Sequence, residues 1–335
     1  MSKSGLQALK QHLAHNNRIK EFPGYGGKIH ALGWNASGSK LASASSDKSV
    51  NVFALDSTRL SKTQTFRGHT ESVDQLAWHP TSSDTLASVG ADGTVRLWDC
   101  RSKRTTTVQL KGENINVAWS PDGHTIAVGN KNDLITWVDV RSDLKTIQSE
   151  QFAFEINEFS WKPAGDLLLL ATGTGSILVY SGKPGEMRRE ACIQAHPSNA
   201  MCLQFSPSGE FFAVGSADAL VSVWDADEFV CLRTLSRLEW PVRALGFSHD
   251  NQLIASASED HFIDIGCVET GDQVYRLGTQ AAATFVLAWH PKFQLLTYSS
   301  EAKYDRDQGL IRMFGFPSDG DGRKSAGLPT VVDHT

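Results

Sequence analysis

One sequence pattern recurs along most of this chain: a short hydrophobic run that ends on an aromatic residue and is followed by a turn. The intervals between successive aromatic residues are 44, 41, 42, 44, 42 and 42 residues. The aromatic residues are Trp34, Trp78, Trp119, Trp161, Phe205, Phe247 and Trp289. A repeat of this length, built from short strands, cannot bury both faces of its own sheet and must stack on its neighbours. Seven units predict an all-β fold, a seven-bladed β-propeller.

The second unit shows how one repeat divides into strands. Its hydrophobic first strand spans residues 72–78, and the second spans residues 85–89. A tight turn at Asp92-Gly93 leads to an alternating third strand over residues 94–99. A more polar fourth strand is predicted over residues 105–110. Each blade is therefore expected to contain four strands.

The two ends of the chain meet in the predicted ring. The seventh unit supplies only three strands and ends near Phe314, whereas residues 17–22 precede the first unit. We predict that Ile19 and Phe22 lie on a strand that completes the last blade, so that no open edge is left. The propeller then covers residues 17–317.

The segments outside the ring are short. Residues 1–16 form an N-terminal tail in which Leu6, Leu9 and Leu13 share one face of a possible short helix. That face either packs beside the propeller or docks a partner. Residues 318–335 are predicted to be disordered, and an insertion at residues 301–307 is predicted to be a surface loop.

Composition restricts the classes of function. The net charge of −5 argues against a general nucleic-acid coat. No apolar segment is long enough for a membrane span or a signal peptide, which predicts an intracellular protein with no membrane contact. The odd, scattered set of five cysteines, without any CxxC pair, predicts buried thiols in a reducing compartment. The histidines lack zinc-ligand spacing, so neither a metal site nor a cofactor is expected.

The second unit also carries a set of polar residues that recurs in part elsewhere. A histidine precedes its first strand, a serine lies in the second, an aspartate in the turn and a tryptophan in the third. These residues are His69, Ser88, Asp92 and Trp98. We expect a buried hydrogen-bond relay in which the histidine donates to both the aspartate and the serine. A catalytic role is not expected, because a nucleophile needs an open face and oxyanion donors.

The other units hold only parts of this set. The fifth unit has His196, Asp218 and Trp224, but Val214 stands where the serine would be. Tyr25 stands at the histidine position of the first unit. By this alignment only the second unit contains a complete relay.

One rim of the predicted ring is the candidate partner-binding surface. It collects the loops that enter the first strands and the residues just inside them. The candidates are Glu71, Asp74, Glu113, Asn157, Glu239, Trp240, Arg243 and Phe285. With Glu155 and Glu158 nearby, the rim is predicted to be acidic, which suits a basic peptide or a helical partner better than RNA phosphates. The alternative for Trp240 is that it packs between blades five and six.

The Gly-His and Trp-Asp dipeptides of the repeat resemble those of WD-repeat propellers, and longer sequence segments, here called phrases, are more specific. Residues 111–123 read KGENINVAWSPDG, residues 215–225 read GSADALVSVWD, and residues 236–243 read SRLEWPVR. Together with SVDQL at 72–76, IAVGNK at 126–131, AHPSN at 195–199 and ASEDHFIDI at 257–265, these phrases resemble the subunit 3 family of the THO complex.

That resemblance implies a non-catalytic scaffold in a nuclear hetero-oligomer, the THO/TREX assembly, which couples transcription to mRNP assembly and mRNA export. The implied direct partners are other THO complex subunits with large helical scaffolds. A DEAD-box RNA helicase and mRNA export adaptors are implied indirectly, and RNA contact is expected to be indirect or weak. Two alternatives stay open at this point: a reader of basic peptides, and direct recognition of RNA.

Overall fold

Seven four-stranded antiparallel sheets make up the fold. The computed structural model describes residues 2–23, 26–102, 104–183, 186–280, 282–301 and 309–317. The first strand of each sheet packs against the first strands of both neighbouring sheets, and the seventh packs against the first. The predicted seven-bladed propeller is therefore confirmed. The predicted disordered tail, the surface loop beyond Glu301 and the comparison made at Tyr25 lie outside the described residues.

The strands follow the repeat along the chain. Blades one to three contain β2 (Ile29–Trp34), β3 (Lys40–Ser45), β4 (Ser49–Asp56) and β5 (Arg59–Arg67); β6 (Val73–Trp78), β7 (Thr85–Gly90), β8 (Thr94–Asp99) and β9 (Thr105–Gln109); and β10 (Asn114–Trp119), β11 (Thr125–Asn130), β12 (Leu134–Asp139) and β13 (Lys145–Gln151). A short 3-10 turn, Val140–Ser142, connects the last two of these strands.

Blades four to six repeat the same order from the centre of the ring outward. They contain β14 (Ile156–Trp161), β15 (Leu167–Thr172), β16 (Ser176–Ser181) and β17 (Arg188–Gln194); β18 (Ala200–Phe205), β19 (Phe211–Ser216), β20 (Val221–Asp225) and β21 (Cys231–Leu235); and β22 (Ala244–Phe247), β23 (Leu253–Ala257), β24 (Phe262–Cys267) and β25 (Gln273–Gly278). Blade seven combines β26 (Thr284–Trp289), β27 (Leu296–Ser300) and β28 (Leu310–Phe316) with β1 (Arg18–Pro23).

The repeated aromatic residues hold adjacent blades together. The indole N–H of Trp78 donates to the backbone oxygen of Gly33 in blade one, at 2.8 Å. Trp119 donates in the same way to Ala77, at 3.0 Å. Trp289 donates to Gly246, also at 3.0 Å. Because each ring is also buried, one side chain supplies both apolar packing and a hydrogen bond across the blade interface.

The chain closes the ring as predicted. Strand β1 pairs antiparallel with β28, and this pairing places Phe22 opposite Ile311. Before it, helix α1 (Lys3–His15) begins at an N-cap, Ser2, whose hydroxyl accepts from the backbone of the first turn. Leu13 of this helix is 0% exposed and joins the core cluster that includes β25 of blade six. The N-terminal segment thus covers blade six and completes blade seven.

Removal of residues 1–23 tests this closure. The truncated chain should melt about 10 °C or more below the full chain, because it loses five large apolar side chains that are buried or half-buried. Differential scanning calorimetry would measure the change. A peptide of residues 1–23 added in trans should restore part of the melting temperature, whereas a scrambled peptide should not. Equal melting temperatures for the two chains would show that β1 does not hold the ring.

Candidate functional site

The four polar residues singled out in blade two form one connected set. His69 Nδ1 lies 3.0 Å from Asp92 Oδ2, and its Nε2 lies 2.7 Å from Ser88 Oγ. Trp98 Nε1 donates to the same serine oxygen, at 2.8 Å. All but the aspartate are buried. The set therefore joins the loop before the first strand to the second strand, the turn and the third strand.

The positions of the protons in this relay differ from those that the sequence predicted. Burial lowers the pKa of His69, so the imidazole is neutral near pH 7 and has a single N–H. A carboxylate only accepts, which places that N–H on Nδ1, toward Asp92. Ser88 must then donate to Nε2 while it accepts from Trp98. The expectation that the histidine donates to both neighbours is wrong, because it needs a charged ring.

Blade five contains a second complete relay that the sequence alignment missed. His196 Nδ1 lies 3.0 Å from Asp218 Oδ2, and His196 Nε2 lies 2.7 Å from Ser222 Oγ. Trp224 Nε1 donates to the same oxygen at 2.7 Å. Ser222 lies on β20 directly opposite Val214 on β19. The hydroxyl thus comes from the adjacent strand and reaches the same place, so blade two is not unique.

The aspartates of these sets position the rim loops. In blade two the backbone N–H of Thr70 donates to Asp92 Oδ2 at 2.9 Å. Blade six has no histidine at this point, yet Asp260 accepts from the backbone N–H groups of Glu239 and Trp240, at 2.9 and 3.2 Å. A carboxylate that accepts from the loop backbone is therefore retained even where the rest of the relay is lost. The relays act as loop anchors.

The predicted rim residues lie at one end of the first strands of blades two, three, four, six and seven, but they differ in how accessible they are to a partner. The amide of Asn157 is occupied within the fold, because it donates to the backbone oxygen of Ala200 at 2.8 Å. Asp74 is half-buried, and burial raises its pKa. Glu239, Trp240 and Arg243 are exposed and lie together on blade six. This blade-six patch is an accessible part of the predicted rim.

The rim is charge-paired rather than uniformly acidic. Four of its carboxylates lie within salt-bridge distance of a cation, most of which come from the turns between second and third strands or from the adjacent blade. The pairs are Glu71 with Lys48, Glu113 with Lys131, Glu259 with Arg243, and Glu301 with Lys28. These cations are remote in sequence from the acids that they meet, which is why the sequence indicated an acidic surface.

A hydrogen bond holds the backbone of Trp240 in place, whereas its side chain is exposed. The residue is 53% exposed, so the alternative in which it packs between blades five and six does not hold. Because its backbone N–H is bound by Asp260, the loop is already ordered before any partner arrives. An exposed tryptophan on an ordered loop, three residues before Arg243, is the combination that dominates many protein interfaces.

Phe285 lines a cavity between blades seven and one on the same rim. The cavity has a volume of about 250 Å³, and its walls include Ile29 and Ser300. Lys28 Nζ lies 4.9 Å from the centroid of the Phe285 ring and pairs with Glu301. The cavity is large enough for one large side chain of a bound partner.

Glu158 does not belong to the rim, where the sequence placed it. It lies at the first strands of three blades, where Gln75 Nε2 donates to Oε2 at 2.9 Å and Asn116 Nδ2 lies 3.3 Å from Oε1. The backbone N–H of Val117 donates to Gln75 Oε1 and fixes the orientation of that amide. Burial raises the pKa of Glu158 to about 7. Its carboxyl group therefore joins blades two, three and four instead of facing a partner.

The chemistry of the described residues is otherwise limited. No cluster of His, Cys, Asp or Glu in these segments has the arrangement of a metal site. The helices of the same segments fall short of the length and hydrophobicity that a membrane span requires. The five cysteines are free thiols, but the expectation that all are buried is wrong for Cys192 and Cys231. Both lie on the outermost strands of their blades.

Comparison with known proteins gives one consistent result. The THOC3 beta-propeller domain family matches residues 25–299. THO complex subunit 3 of Arabidopsis thaliana is 43% identical over 305 residues, which cover 89% of this chain and 96% of the plant protein. WD repeat-containing protein AAC3 of Dictyostelium discoideum is 31% identical over 323 residues, covering 89% and 67%. Protein transport protein SEC13 of Coccidioides immitis is 27% identical over 216 residues, covering 60% and 62%.

The blade-five relay can be tested by moving its hydroxyl. Ser222→Ala should lower the free energy of unfolding by about 1–3 kcal/mol, because the histidine and the indole lose a buried partner. Adding Val214→Ser in the same chain should recover part of the loss, since the two positions face each other. Urea denaturation would measure both. Ser236→Ala, at an exposed site, is the control, and an equal effect there would contradict the relay.

The carboxyl of the half-buried Glu158 should make stability depend on pH. Its pKa of about 7 lies above the ordinary glutamate value of 4.5, so folding favours the protonated form. The stabilising contribution of Glu158 is then fully present below pH 4.5 and is lost as the pH rises toward 7. When the pH is raised from about 5 to about 8, the free energy of unfolding of Glu158→Gln should increase by about 1–3 kcal/mol relative to that of the unmodified chain.

Urea denaturation at both pH values would measure this gain. Glu155→Gln, at an exposed position of the same blade, is the matched control and should show no such gain. If the difference in the free energy of unfolding between the unmodified chain and Glu158→Gln stayed constant across the pH range, the raised pKa assigned to Glu158 would be wrong.

Proposed function

Because this chain belongs to the THOC3 β-propeller family, we propose that it is a non-catalytic scaffold subunit of a THO/TREX-like complex in the nucleus. In that complex it contributes to the coupling of transcription with mRNP assembly and mRNA export. The observation that carries the proposal is the 43% identity to a THO complex subunit 3, which extends over 96% of that protein. The likeness also extends over 89% of this chain.

A non-catalytic role agrees with the polar sets in blades two and five. Each combines a serine, a histidine and an aspartate, the residue types of a hydrolase triad. Ser88 and Ser222 are buried, and each already accepts from an indole N–H. A substrate carbonyl has no access to such an oxygen, so the sets serve stability.

Docking of other THO complex subunits is assigned to the blade-six patch of Glu239, Trp240 and Arg243. Trp240 offers a large exposed ring, and Arg243 offers a guanidinium that is already paired with Glu259 at 3.4 Å. A helical segment that buries this ring would gain apolar area without having to order the loop. The cavity beside Phe285 provides a second anchor point on the same rim.

The paired charges of the rim separate this function from the two alternatives. A reader of basic peptides needs unpaired carboxylates, and several of those on this rim are neutralised by lysine or arginine. An RNA-binding rim needs an excess of cations, which the same pairing removes. RNA contact is therefore weak or indirect, and the helicase and export adaptors are reached through the other subunits.

Affinity purification of the tagged chain from nuclear extract tests the proposal. The unmodified chain should recover large helical THO subunits at a fixed ratio. Trp240→Ala combined with Arg243→Ala should reduce that recovery about tenfold or more, since the two side chains are proposed as central anchors. Val230→Ala combined with Arg233→Ala removes an exposed apolar and a basic side chain from blade five and should leave recovery unchanged.

The outcomes separate the proposal from the choice of surface. If the unmodified chain were recovered alone or with unrelated proteins, the scaffold function would be wrong. If the THO subunits were recovered equally with both double variants, the function would stand and the blade-six patch would not be the docking surface.

A further inference from the structure

A long groove follows the outer edge of the closing strand, on the circumference of the ring and away from the rim. Its volume is about 910 Å³, and all six residues of β1 line it. The opposite wall is formed by residues 58–62 of blade one, with Phe53 beneath them. Strand β1 is the outermost strand of its sheet, so its outer edge faces this groove. The outer edge of an outermost strand is the place where another strand can add.

The wall on the side of blade one is an extended hairpin. Strand β4 has 8 residues and β5 has 9, whereas the third and fourth strands of blades two to six have 5 to 7. The pairing of the hairpin continues to Asp56 and Arg59. Lys20 of β1 donates to the backbone oxygen of Thr58 at 3.3 Å and thereby fixes the distance between the two walls. The groove is thus built by both blades.

The groove is basic in a chain whose net charge is −5. Its lining includes four cations, Arg18, Lys20, Arg59 and Lys62, and one acid, Glu21. That acid is paired with an arginine of β28 through an Nε–Oε1 distance of 2.8 Å. By contrast, the groove of about 650 Å³ between blades three and four has acidic and basic side chains in near balance. The charge of the closure groove is therefore a local feature.

We propose that this groove binds an extended, acidic segment of a partner protein, which adds as a strand to the outer edge of β1. The strand edge supplies backbone hydrogen bonds, as in other cases of β-strand addition. Arg59 and Lys62, on the wall of blade one, can pair with Asp or Glu of the segment. Ile19 and Phe22 are half-buried and pack against different core clusters, and the exposed part of each side chain offers apolar contact to the segment. Six residues of β1 match a segment about 20 Å long.

Two other occupants suit the groove less well. RNA would use the cations, but a strand edge and the apolar side chains of Ile19 and Phe22 offer nothing to a phosphate backbone. A second copy of this chain would bring an equally basic edge, which like charges oppose. The inference does not rest on the proposed function, because it uses neither the rim nor the family. Its failure would leave the scaffold assignment unchanged.

Fluorescence anisotropy with the full chain tests the groove. The probe is a fluorescein-labelled peptide of about eight residues in which Glu alternates with Val and Thr. It should bind saturably, and Arg59→Glu combined with Lys62→Glu should weaken binding about tenfold or more. Arg104→Glu combined with Lys145→Glu changes the net charge equally on blades two and three, and should alter binding less than about twofold. Melting curves would show that all variants fold.

Two further probes distinguish the occupants. The same peptide with alternate backbone nitrogens methylated should lose binding, because strand addition needs those N–H groups. Labelled oligouridine of similar length should bind more weakly than the acidic peptide. The proposal is overturned if the acidic peptide fails to saturate, if the methylated peptide binds equally, if both charge reversals act alike, or if oligouridine is the tighter ligand and loses binding in Arg59→Glu/Lys62→Glu.

Discussion

The constraint on which this structure depends is ring closure. A four-stranded blade exposes two apolar faces, so each blade is stable only between two neighbours. The recurring tryptophans meet this need, because rings such as Trp78 pack in the interface and donate to the next blade's backbone. The last interface packs β2 against β26, and β1 completes blade seven at its outer side by pairing with β28. Helix α1 strengthens that return by burying Leu13 against blade six.

Closure also explains how an ordered binding surface arises from loops. Two rim loops are tied to their blades by carboxylates, because Asp92 and Asp260 accept from loop backbone N–H groups. In these two blades the side chains around the carboxylate differ, whereas the contact with the loop is the same. Rigid loops reduce the entropy lost on binding, so an exposed ring such as Trp240 can act as an anchor without prior ordering.

The two proposed surfaces use different physics. On the rim, paired charges leave shape and apolar area as the main sources of affinity, which suits a permanent subunit contact. In the closure groove, Arg59, Lys62 and the outermost strand β1 favour an acidic extended segment, and such binding should weaken as salt rises. Together the two proposals predict that the ring holds two partners at once, one on its face and one on its circumference.

The sequence by itself determined the number of blades, the strands of each repeat, the closing strand and the family. Period, alternation and turn residues are local signals, and the phrases that carry the family likeness are contiguous. Only the tertiary structure decided which histidine the Ser222 hydroxyl meets and that Glu158 lies at the junction of three blades. It also decided that Trp240 is exposed and that several of the rim acids are paired. These features depend on contacts between strands and blades that are distant along the chain, so no local pattern encodes them.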